Sequence, residues 1–297
     1  MNRVTAIGEI LFDIYPTSKK LGGAPLNFLY HVFKLTGQGN MVSRVGKDIL
    51  GSNIFEFLNN NNITSDHIQE DHLHPTGVAS VSLNEKSEPT FTIDEERAYD
   101  FIEKIPSLEK LINDGTDCFY FGTLAQRGEV SRETIQSLFN KNLKYFCDLN
   151  IRQEFYSKEI IEASLHTANI LKLSLSELKL LNTLFFEGGF ETEKTAKKIT
   201  EEFDIEFLAV TLGGEGSLIL KKNKTNHYKS KPVEIIDTVG AGDAFASIFC
   251  IGCLQNWKLK KINKLANDFA SELCKVNGAI PKSNEIYETM RKRIENE

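Results

Sequence analysis

The sequence predicts an α/β fold built on a mostly parallel sheet, and three observations carry that prediction. Short apolar runs alternate with longer stretches of helical periodicity along the chain. No Pro-, Ser- or Gly-rich linker and no internal repeat divides it, so the 297 residues read as a single domain, 1–297. One stretch, at about 76–93, departs from this rhythm with a period of two.

Val4–Ile10 reads as the first strand, Pro25–Leu35 as a helix and Asn40–Val45 as the next strand. Ile49–Asn59 follows as a helix, Cys118–Phe121 as a buried strand and Arg132–Asn140 as a helix. Lys144–Asp148, Ile170–Leu173 and Glu206–Leu212 are again strand-like, and Ser217–Leu220 adds another. Strands separated by helices imply parallel βαβ units with helices on both faces. From Thr76 to Leu83, Ala79, Val81 and Leu83 alternate with Ser80 and Ser82. A polar turn, Asn84–Glu88, then leads to the alternating run Thr90–Ile93. This is a hairpin, read as a small sheet standing off the main body in the manner of a lid over a cleft. Periodicity leaves open an antiparallel edge on the main sheet instead.

Composition narrows the function. With 41% apolar and 26% charged residues, the chain can build a large core without staples. Thirty-five basic against 41 acidic residues give −6, which argues against nucleic acid or an anionic membrane as the main partner. Five cysteines without a spacing framework point to reduced thiols. The start is unlike a signal peptide and the longest apolar run, Ala244–Leu254, is too short to span a bilayer, so a cytoplasmic protein is expected.

The most informative segment is Asp237-Thr238-Val239-Gly240-Ala241-Gly242-Asp243, followed by an almost wholly apolar helix. Small residues at a helix start let a ligand approach backbone N–H groups that have no partner within the helix, and the helix dipole favours an anion there. Asp243 then sits in the first turn beside any phosphate so held. A carboxylate in that place repels the phosphate, and accepting a proton from an attacking hydroxyl gives it a role. A capping Asp after a glycine turn is the plain alternative.

This segment closely resembles the C-terminal signature of the ribokinase-like sugar kinases. A second match, Gly8-Glu9-Ile10-Leu11-Phe12-Asp13 with Leu21-Gly22-Gly23-Ala24-Pro25-Leu26-Asn27, resembles their sugar-binding segments, in particular those of bacterial fructokinases. Arg44–Asp48 with Gly51, Phe121–Leu124, Asp148–Arg152 and Thr211–Gly216 continue the pattern in the family's order over nearly the whole chain. The resemblance implies a three-layer ribokinase-like fold whose small β lid comes mainly from the hairpin at about 76–93, with a contribution from about 12–22. It implies that Asp13, Gly22, Gly23, Asn27 and Arg152 face the sugar, that Asp243 is the base, and that Gly240, Ala241 and Gly242 form an anion hole. Ser174, Thr211, Gly213, Gly216 and Asn267 would lie along ATP, although Ser174 stands where the family has asparagine. Glu177 would hold Mg²⁺ through water, and the carbonyls of Asp237 and Val239, with others around Cys274–Gly278, would hold K⁺. The activity implied is ATP-dependent phosphorylation of fructose at its 6-hydroxyl, with a homodimer formed through the lid as a further expectation.

Other readings have weaker support. Ketodeoxygluconate kinase shares the Asp148–Arg152 pattern and needs a cation for its substrate's carboxylate, for which Arg97 and Arg152 are available; ribokinase comes next. A non-catalytic nucleotide- or sugar-binding regulator has no reason to retain Asp243. A dinucleotide-binding dehydrogenase lacks its glycine fingerprint: Gly213–Gly216 runs into another strand, Ser217–Leu220. Cys250 and Cys253 have redox or zinc spacing but fall in the apolar helix, where a packed pair is the reading. Asp66, His67, Asp71, His72 and His74 match no metal-ligand spacing and read as a polar loop.

Overall fold

The computed structural model describes residues 2–83, 89–139 and 143–297. The chain begins with β1 (Val4–Ile7), β2 (Leu11–Ile14), β3 (Lys19–Gly22), α1 (Ala24–Thr36), β4 (Asn40–Gly46), α2 (Ile49–Asn60) and β5 (Ile68–Asp71). The hairpin β6 (Gly77–Leu83) and β7 (Pro89–Ile93) follows, then α3 (Pro106–Gly115), β8 (Cys118–Phe121), α4 (Glu129–Ser137), β9 (Lys144–Asp148) and α5 (Lys158–Thr167). Next are β10 (Ile170–Ser174), α6 (Leu175–Phe185), α7 (Thr192–Glu202), β11 (Phe207–Thr211), β12 (Ser217–Lys221) and β13 (Lys224–Tyr228). Three helices close the chain: α8 (Ala241–Leu254), α9 (Leu259–Leu273) and α10 (Glu285–Asn296).

One sheet runs β13-β12-β11-β10-β9-β8-β1-β4-β5, parallel from β11 to β5, with β12 and β13 as an antiparallel edge. Alternation along its strands divides the core. In β8, Cys118 and Tyr120 pack with α1, α8, α9 and α10 on one face, while Phe119 and Phe121 pack with α3 to α7 on the other. The three-layer α/β architecture is the one the sequence predicts.

The hairpin does not join this sheet. It belongs to a second sheet, β3-β2-β6-β7, in which β2 pairs β3 antiparallel and β6 parallel. The predicted turn Asn84–Glu88 lies outside the described residues. The single strand expected over Val4–Ile10 ends at Ile7. There the Gly8 N–H donates to the Val42 carbonyl, and the chain leaves to start β2 in the other sheet. The helix expected from Arg132 to Asn140 begins at Glu129, ahead of Ser131, whose hydroxyl is engaged by Tyr99 and Ile102. It ends at Ser137, and Asn140 lies outside the described residues.

The polar Asp/His stretch braces the hairpin's base. Asp71 accepts from the N–H groups of Leu73 and His74 and pairs with Arg44 at 2.7 Å, while the His74 ring stacks on Phe101. Cys250 and Cys253 are buried inside α8, with the Cys250 Sγ 3.9 Å from that of Cys118. Among the described residues, no helix is long and apolar enough to cross a membrane.

Candidate active site

The start of α8 is held open for a ligand. Gly240 adopts φ 80° and sits so close to the 279 backbone that an added Cβ would lie 2.4 Å from the Ala279 Cβ. No side chain caps the helix; the Ala241 N–H donates to the Thr238 carbonyl at 3.2 Å, which leaves the neighbouring first-turn N–H groups to meet an anion. Asp237 shapes the loop that leads in. Its carboxylate accepts from the Val239 and Gly278 N–H groups at 3.0 and 2.9 Å and from Lys20 Nζ at 3.1 Å. Burial would raise its pKa, but those three donors hold it below the ordinary value.

Two cavities meet at this helix start. One, of about 290 Å³, lies beneath the small sheet; the other, of about 520 Å³, lies between the β11–β12 turn and α9, and Thr238 and Gly242 line both. Asp243 faces the first. Asn27 on α1 donates from Nδ2 to its Oδ2 at 2.8 Å, and Asn27 Oδ1 is buried with no partner. An orphaned acceptor in a cavity wall is a place for a ligand hydroxyl. Gly23, with φ 107°, turns the chain into α1 so tightly that a Cβ would lie 2.4 Å from the Glu9 carbonyl oxygen.

Asp13, Glu9 and Arg152 complete the polar wall. Burial raises the Asp13 pKa to about 6 against the pull of Arg152 and Lys20. Burial likewise lifts Glu9 to about 7 and raises Asp243, which Lys172, Asn27 and Arg152 partly offset. Leu11, Ala79, Ile93 and Leu124 supply the apolar wall. Three carboxylates, two amides (Asn27 and Asn150) and two cations (Arg152 and Lys172), with a few apolar groups, suit a small hydroxyl-rich ligand. Gly22 lies behind this wall, an added Cβ being 3.4 Å from Asp13 Oδ2.

The larger cavity suits a nucleotide. Thr211, Gly213, Gly216 and Asn267 line it together, with Val233, Ile235 and Phe245 as apolar walls of the kind that suit a base. Asn267 is already engaged: its Nδ2 donates to Ser217 Oγ and to Asn263, and its Oδ1 accepts from Ser230. It therefore holds the groove's wall together. Ser174 and Glu177 lie outside the walls of both cavities and form the capping box of α6. Glu177 accepts from the Ile151 and Ser174 N–H groups at 2.8 and 2.6 Å. Val239 lines the polyol cavity, and Asp237 lies behind it, with segment 274–278 alongside: the Ile236 and Asp237 N–H groups both donate to the Cys274 carbonyl.

A profile of pfkB family carbohydrate kinases matches residues 1–286. The chain belongs to the pfkB family of carbohydrate kinases. It is an ATP-dependent sugar kinase. Fructokinase from Salmonella typhimurium is 28% identical over 262 residues, 82% of each chain. The putative sugar kinase PH1459 of Pyrococcus horikoshii is 28% identical over 309 aligned positions, covering 95% and 94% of the two chains. Its crystal structure superposes with a TM-score of 0.83 at 24% identity, covering 98% and 99%. A double mutant of fructokinase from Vibrio cholerae O395, bound to fructose, ADP and potassium, superposes with a TM-score of 0.81 at 24% identity, covering 98% of each. The large, mostly parallel sheet between helices is thus the ribokinase-like fold of this kinase's structural neighbours.

Two charged residues of the smaller cavity, Glu9 and Lys172, are not among the site residues predicted from sequence. Glu9 lies within the Gly8–Asp13 match, and a lone carboxylate inside the apolar run Val4–Ile10 is the available signal. Lys172 interrupts the apolar run Ile170-Leu171-Lys172-Leu173, and a lone charge in a buried strand is a signal that periodicity alone passes over.

Proposed function

We propose that this kinase is a fructokinase that transfers the γ-phosphoryl group of ATP to the 6-hydroxyl of fructose, with Asp243 as general base. The observation that carries this reading is the meeting of a polyol-sized cavity and a nucleotide-sized groove at an uncapped helix start, with Asp243 on the polyol side. Fructose seated on Asp13, Gly23 and Asn27 directs a hydroxyl at Asp243, which takes its proton as oxygen attacks phosphorus. The N–H groups of Gly240 and Gly242 meet the charge on the transferring phosphoryl oxygens, while that of Ala241 is held by the Thr238 carbonyl. The naming of relatives from Salmonella typhimurium and Escherichia coli as fructokinases supports the choice of sugar. A coupled ADP-release screen over fructose, ribose, ketodeoxygluconate, nucleosides and glucose tests it. The highest kcat/KM is expected with fructose, and a higher value with the sugar acid or ribose overturns the assignment.

Magnesium fits the donor set as an ion carried by the nucleotide. Among the described residues no three His, Cys, Asp or Glu side chains converge to hold a metal by themselves. The Glu177 carboxylate, oriented by two N–H groups, keeps lone pairs for a water of the ion's shell. Bound there, Mg²⁺ would neutralise phosphate charge. Potassium is proposed at the carbonyls of Asp237 and Val239, beside segment 274–278; exchanging K⁺ for tetramethylammonium should then lower kcat, and unchanged turnover rejects the site.

Asp13 tests the sugar end. Asp13→Ala removes a charged hydroxyl acceptor, so KM for fructose should rise about 10- to 100-fold, matching roughly 1.5–3 kcal/mol, with KM for ATP little changed. In the parent enzyme KM for fructose should rise as pH falls through about 6, where Asp13 takes up a proton, and Asp13→Asn should flatten that rise. An equal change in both KM values points to a disturbed strand instead.

A further inference from the structure

Lys172 is the one charged residue of β10 and pairs directly, Cα to Cα, with Asp148 of β9. Its Nζ lies 3.0 Å from each carboxylate oxygen of Asp148, which is fully buried and also accepts from the Tyr120 hydroxyl at 3.3 Å. Such a pair is a poor way to stabilise a core, because desolvating both ions offsets most of their attraction. What the ammonium faces is therefore informative. It reaches the polyol cavity beneath the first turn of α8, so close that a Cβ added to Gly242 would lie 3.2 Å from Nζ.

Lys172 is the cation that most offsets the effect of burial on Asp243. From the elements packed around it, Asp243 faces Lys172 of β10, Arg152 beyond β9, Asp148 of β9, Tyr120 of β8, Asn27 of α1, Glu9 beyond β1 and Asp13 of β2. Negative charge predominates in that set, and phosphate bound at the helix start adds more. A base surrounded in this way would take its proton from solvent before substrate offers one. We propose that Lys172 is a positioning residue for the base, an ammonium aimed by Asp148 that keeps Asp243 ionised while phosphate occupies the helix start. Burial alone would discharge Lys172, but Asp148, Glu177 and Asp243 hold it cationic.

The inference rests on Asp243 being the base, and the test separates the two. The acidic limb of kcat is measured with saturating ATP, Mg²⁺ and fructose in the parent enzyme, Lys172→Met and Asp148→Asn. Losing the ammonium should move the limb to higher pH by about one unit. Losing the Asp148 charge leaves Lys172 free to act on Asp243 and should move the limb to lower pH. Opposite displacements support the proposal. A pair that serves only the fold lowers Tm in both variants and leaves the limb in place or moves it the same way, which overturns it. If either single variant does not fold, the double variant, whose buried pair is neutral, is read instead. Its limb should move up, by less than in Lys172→Met, because losing the ammonium, the foremost charge acting on Asp243, is partly offset by losing the Asp148 carboxylate; an unmoved or lowered limb overturns the proposal. Near-normal turnover in Asp243→Asn would fault the base assignment itself, whatever the limbs do.

Discussion

Replacing Asp243 with asparagine should lower kcat for fructose by about two to four orders of magnitude while ATP still binds. Asparagine keeps the shape of the side chain and an oxygen for the Asn27 Nδ2 hydrogen bond, so the helix start and the Gly23 turn stay in place. What it loses is the ability to accept a proton. On the proposed reading ATP binds in the larger cavity, which Asp243 does not line, so calorimetric titration with ATP should be nearly unchanged. The same group sets the pH dependence of the parent enzyme. Burial raises the Asp243 pKa above its ordinary value, so kcat should fall as pH drops through that raised pKa and be maintained above it. Turnover within a fewfold of the parent's would remove Asp243 from proton transfer and leave it a helix-start residue.

Much of this arrangement is legible in the sequence because it depends on local chemistry. A glycine pair before an apolar helix specifies an open helix start, and alternating strand and helix patterns specify a parallel sheet covered on both faces. The phasing of β8, Cys118 and Tyr120 to one side and Phe119 and Phe121 to the other, follows from side-chain alternation alone. What the sequence does not show is which segments converge. Val4–Ile10 reads as one strand because its run is mostly apolar, yet the chain changes sheets within it, a choice made by the pairing partners Val42 and Gly77. Lys172 looks like a blemish in a strand until β9 brings Asp148 beside it. Asn267 is named by resemblance as a nucleotide contact, but only the packing of β12 on α9 shows its amide engaged by Ser217 and Asn263. Charge pairing across elements and the saturation of polar groups are tertiary facts, and no local window contains them.

Replacing residues 78–92 with a short Gly-Ser link should leave the main sheet folded and strongly reduce fructose phosphorylation, by roughly a hundredfold if the hydroxyl loses its alignment. The nine strands of that sheet keep all their partners, since β6 and β7 pair only within the small sheet. The small sheet covers the polyol cavity through Ala79 and Ile93, which face each other across the hairpin and are both buried. Among the described residues, two ties join it to the main body. The Ile93 N–H donates to Gln153 Oε1 at 2.8 Å, next to Arg152, and Lys20 of β3 pairs with Asp237 of the anion-hole loop at 3.1 Å. Lys20 is also the cross-strand partner of Asp13, so the strand that carries Asp13 is paired directly with the strand that contacts the loop before α8. A cover linked in this way excludes water when sugar binds and aligns the acceptor at the same time. With the hairpin gone, water should compete with fructose for the γ-phosphoryl group, and ATP hydrolysis should rise relative to transfer. Measuring ADP and fructose 6-phosphate in the same reaction gives that ratio directly. Full phosphorylation with a ratio near one would show that the hairpin is no lid, and that β2 and β3 alone suffice to hold the sugar.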